Sequence, residues 1–102
     1  MNNNIITLKN SINYQSDSVV SKEILKTKNG TVTLFSFDEG QGLSEHTAPF
    51  SVLTFIIDGQ AQIKIGETSH TLIEGQTIEL PANEPHSIKA LKRFKMLLIM
   101  IK

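Results

Sequence analysis

The sequence predicts an all-β fold, a single small sandwich or barrel, and three observations carry that reading. From Val19 onward, short apolar or alternating segments follow one another to the end of the chain. Turn pairs separate them at close intervals: Asn29-Gly30, Asp58-Gly59, Gly66-Glu67 and Glu74-Gly75. No segment carries the 3.6-residue apolar repeat of a long helix. Only Leu8 and Ile12 hint at one short turn near the start. With 102 residues, 39% of them hydrophobic, the chain has enough apolar surface for one core and one domain. Residues 1–18 read as an N-terminal segment packing on the barrel, and 19–102 as the barrel itself.

Taken in order, the first strands are "SKEILKTK" and "TVTLFSF", divided by Asn29-Gly30. That pair suits the positive φ angles of a tight hairpin turn. In the second strand Val32, Leu34 and Ser36 share one face, and Phe35 and Phe37 the other. "DEGQG" is a loop whose two glycines fit an unusual backbone or a close approach. "SVLTFII" is an apolar strand expected to close at Asp58-Gly59, and "QAQIKI" alternates with Ala61, Ile63 and Ile65 on one face. "SHTLI" and "QTIEL" flank Glu74-Gly75. "PANEP" is a rigid loop, because neither proline can donate to a ladder. "HSIKAL" and "FKMLLIMI" finish the chain, for an expected total of about eight or nine strands. In the last, Met96, Leu98 and Met100 lie opposite Leu97, Ile99 and Ile101. One face fills the barrel; the other, also apolar, needs cover from a second copy or from residues 5–25 folding back.

Ten basic residues balance ten acidic ones. A net charge of zero gives no electrostatic footprint for nucleic acid or an anionic membrane. No helix-turn-helix segment accompanies the strands. The absence of cysteine excludes disulfides, thiolate metal sites and a cysteine nucleophile. "MNNNIITLKN" lacks the basic start and apolar core of a secretion signal. "MLLIMI" is too short to cross a bilayer. The expectation is a soluble cytoplasmic protein. Ser44, Ser51, Ser69 and Ser87 lie near histidines in sequence, but no motif arranges a base and an acid around any of them.

Chemistry concentrates at two of the three histidines. His46 follows a glycine-bearing loop and opens a strand; His86 follows a proline-bearing loop and also opens a strand. Such residues converge at a barrel mouth, where imidazole is a common ligand for Zn, Fe, Ni or Mn. His70 reads as an ordinary strand residue.

At these residues the chain resembles the cupins. Gly40, the five residues "QGLSE", His46 and Gly59 match their first motif; Gly75, "QTIEL", Pro81 and His86 match their second. Ala48 and Val52 stand where that first motif has a second His and a Glu. Asn83 replaces a glycine, and Ala90 a final Asn. The resemblance covers roughly residues 30–100. It implies a cupin-type jelly-roll barrel, often a homodimer, with His46 and His86 at one site. Two imidazoles make an incomplete metal site, for which Glu84 or Glu45 is the candidate further donor.

Three functions follow as expectations. The first is a small-molecule binder whose pocket is lined by His46, Phe50, Val52, Thr54 and His86. The second is a metal-dependent enzyme of the dioxygenase or isomerase type, with one divalent ion on His46 and His86. A purely structural or regulatory subunit acting through apolar faces is the third.

Overall fold

A computed structural model describes residues 5–102. A single 3-10 turn, Leu8–Asn10, precedes seven strands among the described residues. They are β1 (Val19–Thr27), β2 (Gly30–Phe37), β3 (Gly42–His46), β4 (Ser51–Ile65), β5 (Thr68–Ile73), β6 (Thr77–Leu80) and β7 (His86–Ile101). All pairings are antiparallel, in the order β1-β2-β7-β4-β5, with β3 added on β7 and β6 on β4.

Two long strands make the barrel. The first part of β4 pairs with β6, and with the end of β7 that also meets β2. The last part of β4 pairs with β5, and with the start of β7 that also meets β3. Each long strand therefore serves both layers of a jelly roll. This is why there are seven strands and not eight or nine. Asp58-Gly59 does not end a strand; it is a bulge inside β4, with register shifts on both sides. Bulges bend a strand without breaking its pairing. Gly59 has φ +79°, and a Cβ there would collide with the Arg93 carbonyl on β7. "HSIKAL" and "FKMLLIMI" are likewise one strand of 16 residues.

The first hairpin also differs in detail from expectation. Thr27 pairs with Gly30, so the connection is Lys28-Asn29, and neither Asn29 nor Gly30 has a positive φ. Glycine is required at position 30 for another reason: a Cβ would strike the Met100 carbonyl across the sheet.

The interior between the layers is apolar. Phe37 and Phe94 stack at 4.5 Å between ring centroids, with Val52, Ile56, Ile63 and Leu80 buried around them. A second cluster lies outside the β2-β7-β4 layer, where Ile12 packs with Leu34, Ile57 and Leu97. Polar bonds hold this N-terminal stretch down. Ser36 Oγ donates to the Asn13 carbonyl at 2.9 Å, Lys95 Nζ to the Lys9 carbonyl at 2.6 Å, and the Tyr14 hydroxyl to Asp58 Oδ2 at 2.7 Å. Of the segment 1–18, residues 1–4 lie outside the described part. The cover stops at Leu97. Leu25, Leu53, Phe55 and Ile101 remain exposed on the uncovered part of the same layer.

Candidate functional site

His46 ends β3 and His86 begins β7, and the two are register partners in the β3–β7 ladder. Two loops frame them. The 81–85 loop is tied to the 47–50 loop by the Asn83 N–H, which donates to the Ala48 carbonyl at 2.7 Å. Asn83 makes this turn with φ +65°, a conformation that asparagine tolerates better than most residues. On the other side the Gly66 N–H donates to the Pro85 carbonyl at 2.8 Å. A register irregularity between Leu43 and His46 re-aims the end of β3.

The two rings meet edge to face at 70°, with centroids 4.4 Å apart and Nε2 atoms 3.1 Å apart. His86 is buried and His46 exposed. Burial pushes the His86 imidazole below its ordinary value, the neighbouring His46 ring adds to this, and its bond to the Glu84 carbonyl opposes it.

The outer nitrogens decide the chemistry. His46 Nδ1 lies 2.7 Å from the Ser44 carbonyl, and His86 Nδ1 lies 3.1 Å from the Glu84 carbonyl. A carbonyl oxygen only accepts, so both Nδ1 atoms carry hydrogen. A neutral imidazole has one hydrogen, so both Nε2 atoms then present bare lone pairs to each other. That contact is repulsive unless a cation, a proton or a metal ion, joins them. Two imidazoles bound side by side to one ion at about 2.1 Å hold their nitrogens about 3 Å apart. The observed 3.1 Å separation fits two positions of a metal sphere.

It does not supply a full protein cage. Among the described residues no group of three or more His, Cys, Asp or Glu side chains is placed to hold an ion. Glu45 is exposed and lines a groove of about 560 Å³ with Gly42, Ser44, Lys64, Ser87 and Lys89. The Glu84 carboxylate lies towards Gly66, whose added Cβ would come within 3.1 Å of Oε1. The other site candidates fall as follows. Val52 and Thr54 are buried on β4, and the Thr54 hydroxyl donates to the Ile78 carbonyl at 3.0 Å. Phe50 is half-buried in the bend that leads into β4. His70 pairs with Ile63 and lines a separate groove of about 330 Å³ between β5 and β6, with Gln76 and Thr77. Its place two residues before the buried Leu72 was the available sign that it faces inward.

Residues 29–99 match the sequence profile of the AraC-like ligand binding domain. No curated protein matches the chain. Among solved structures, a conserved protein of unknown function from Streptococcus pyogenes is similar at 30% identity and a TM-score of 0.93, over 100% of this chain and 90% of that one. A cupin superfamily protein from Desulfitobacterium hafniense is similar at 27% identity and a TM-score of 0.92, over 99% and 93%. A cupin 2 conserved barrel domain protein from Leptotrichia buccalis is 34% identical with a TM-score of 0.86, over 89% of this chain but 44% of its own.

Proposed function

The chain belongs to the AraC-like ligand binding domain family of cupin-type barrels, and from that premise we propose that it binds a small molecule at the barrel mouth, on His46 and His86. The observation that carries this is the pair of Nε2 atoms 3.1 Å apart, each ring set with its Nδ1 at a backbone carbonyl. Preorganised acceptors at a strand junction cost stability unless something completes them. The same reading takes Phe50, half-buried in the bend before β4, and Val52 and Thr54, buried on β4, as the wall of the pocket. With Ala48 and Val52 in place of a basic and an acidic side chain, that wall favours a partly apolar ligand.

The test is a thermal-shift screen of small organic acids, alcohols and amines, followed by nitrogen-15 spectra of the imidazoles. A binder should move both Nε2 resonances, and His46→Ala should abolish the thermal shift. A shift that survives in His46→Ala would remove the ligand from this site.

The second reading, a metal-dependent enzyme of the dioxygenase or isomerase type, is favoured by the 3.1 Å nitrogen separation. In it His46 and His86 hold one Zn, Fe, Ni or Mn ion, which would polarise an oxygen of the substrate. Near-stoichiometric metal in untagged protein, lost in His46→Ala, supports it; none after reloading sinks it. The reading also includes a homodimer, supported by the apolar residues left uncovered on the β1-β2-β7-β4 layer.

A further inference from the structure

Strand alternation sets a second group of polar side chains on the outer face of the layer that carries the imidazole pair. His86 and Ile88 are buried on the inner face of β7, so Ser87 and Lys89 point outward; Lys64, next to the buried Ile63 on β4, does the same. Ser87 pairs with Lys64 and Lys89 with Gln62, which makes the two lysines diagonal neighbours on adjacent strands. Like charges so placed repel. Among the described residues neither lysine forms an ion pair; the ion pairs there are made by Lys9.

The third strand turns this face into a groove. Leu43 pairs with Ile88 and His46 with His86, so Ser44 and Glu45 on β3 stand against Ser87 alone on β7. That is a β-bulge, which leaves one residue out of the ladder and bends the strand. Gly40 and Gly42 bring no side chains, so backbone walls this end of the groove. The volume is about 560 Å³, within the range of small-molecule clefts, about 300–1,000 Å³. Three strands thus gather two ammonium groups, from Lys64 and Lys89, and two hydroxyls, from Ser44 and Ser87. One carboxylate, Glu45, shares the groove and pairs with neither lysine.

We propose that this groove is a second binding site, separate from the mouth, for a small phosphate monoester whose body carries hydroxyl or amino groups. Two adjacent cations call for two negative charges on one group, which a phosphate monoester approaches near pH 7 and a single carboxylate does not. Ammonium groups hold phosphate as point charges, and hydroxyls donate to its remaining oxygens. A dianion there cancels the repulsion between Lys64 and Lys89. Glu45 repels a phosphate set against it, so the phosphate lies at the lysines and Glu45 accepts from a hydroxyl or amine of the body. The volume agrees, because a phosphate group alone leaves most of it empty.

Backbone amide nitrogen-15 spectra of the full chain, titrated at constant ionic strength, test this with three probes: glycerol 3-phosphate, inorganic phosphate and chloride. Glycerol 3-phosphate should shift the amides of Ser44, Glu45 and Ser87 to saturation, and bind at least about threefold more tightly than inorganic phosphate. Lys64→Ala and Lys89→Ala should each weaken it about fivefold. Because Lys89 is exposed, its variant keeps the test valid if the other fails to fold. Glu45→Ala should erase the preference for the ester. Equal affinity for ester and phosphate in the wild type would overturn the inference and leave a patch for simple ions. The same shifts with chloride would overturn it as general screening. Shifts centred on His86 and the 81–85 loop would overturn it by putting the anion at the mouth, and so would the absence of any saturable shift. The mouth reading stands or falls separately, by its own screen and the Nε2 resonances.

Discussion

Ser44 and Glu84 matter here through their carbonyls, not their side chains. Each accepts from a histidine Nδ1 two residues further on, and together they turn two imidazoles into a matched pair of acceptors. No motif spacing conveys this, because any residue has a carbonyl. What could be read was that His86 opens a strand after a proline-bearing loop; the same reasoning put His46 at a strand start, whereas β3 begins at Gly42 and His46 ends it. Glycine 59 shows the same limit from the other side. Asp58-Gly59 reads as a turn, and the same positive φ also serves a bulge. Only the passing of β7 decides between them. The expected cost of Gly59→Ala is about 3 kcal/mol, from a left-handed backbone and a collision with the Arg93 carbonyl. A urea melt compares it with Gly40→Ala, where φ is also positive but nothing lies within 4 Å of the added Cβ. Equal losses at the two positions would mean that close packing on β7 plays no part.

At the scale of elements, the N-terminal stretch is fastened by a polar clamp whose members are far apart in sequence. Tyr14 gives its hydroxyl to Asp58, and the guanidinium of Arg93 sits 4.5 Å from its ring centroid. Lys9 pairs with Asp58 at 3.5 Å and Glu74 at 3.0 Å, but it is exposed and adds little. The Tyr14 hydroxyl holds the Asp58 carboxyl below its usual range, helped by the charges of Lys9 and Lys95 and opposed by burial. A carboxyl lowered in the folded state contributes stability above its unfolded value and loses it as pH falls through the folded one. Tyr14→Phe should therefore cost about 1–2 kcal/mol near pH 7, the worth of a hydrogen bond to a charged group with some exposure. The difference from wild type should shrink as pH drops below 3.8, the ordinary carboxyl value. Burial first, and the bond to Asp58 second, raise the Tyr14 phenol above its ordinary 10.0, so the clamp stays intact up to that pH. Denaturant melts from pH 7 down to pH 3 check this. A pH-independent difference would mean that the hydroxyl serves packing alone.

Over the whole molecule, the outer face of the β1-β2-β7-β4 layer is covered at one end and open at the other. Leu25, Val32, Ile99 and Leu53 fall in a single row across β1, β2, β7 and β4, beyond the reach of the N-terminal stretch. Ile101, 66% exposed, stands between two shallow apolar grooves, one with Leu25 and Val32 and the other with Leu53. A ridge flanked by grooves can pair with a copy of itself across a two-fold axis. Light scattering should give twice the chain mass for the wild type. Ile101→Glu should weaken the dimer on the order of a hundredfold, as one charge at a packed centre does. Wild-type protein eluting as one chain at high concentration would end the dimer reading. The alternation in "FKMLLIMI" announced two apolar faces. Whether residues 5–25 would cover the outer one depended on how far they reach, and the cover stops at Leu97.

By itself the sequence determined the all-β class, the order of strands along the chain around two histidine-bearing motifs, and which residues of β2, β4 and β7 share a face. Those follow from short-range rules: alternation with period two, and turn residues with restricted φ. Only the tertiary structure decided that β4 and β7 run unbroken through both layers, that Tyr14 meets Asp58, and that the two imidazoles face each other as acceptors. Each of those depends on residues between about 20 and 50 positions apart being brought together, which no local preference encodes.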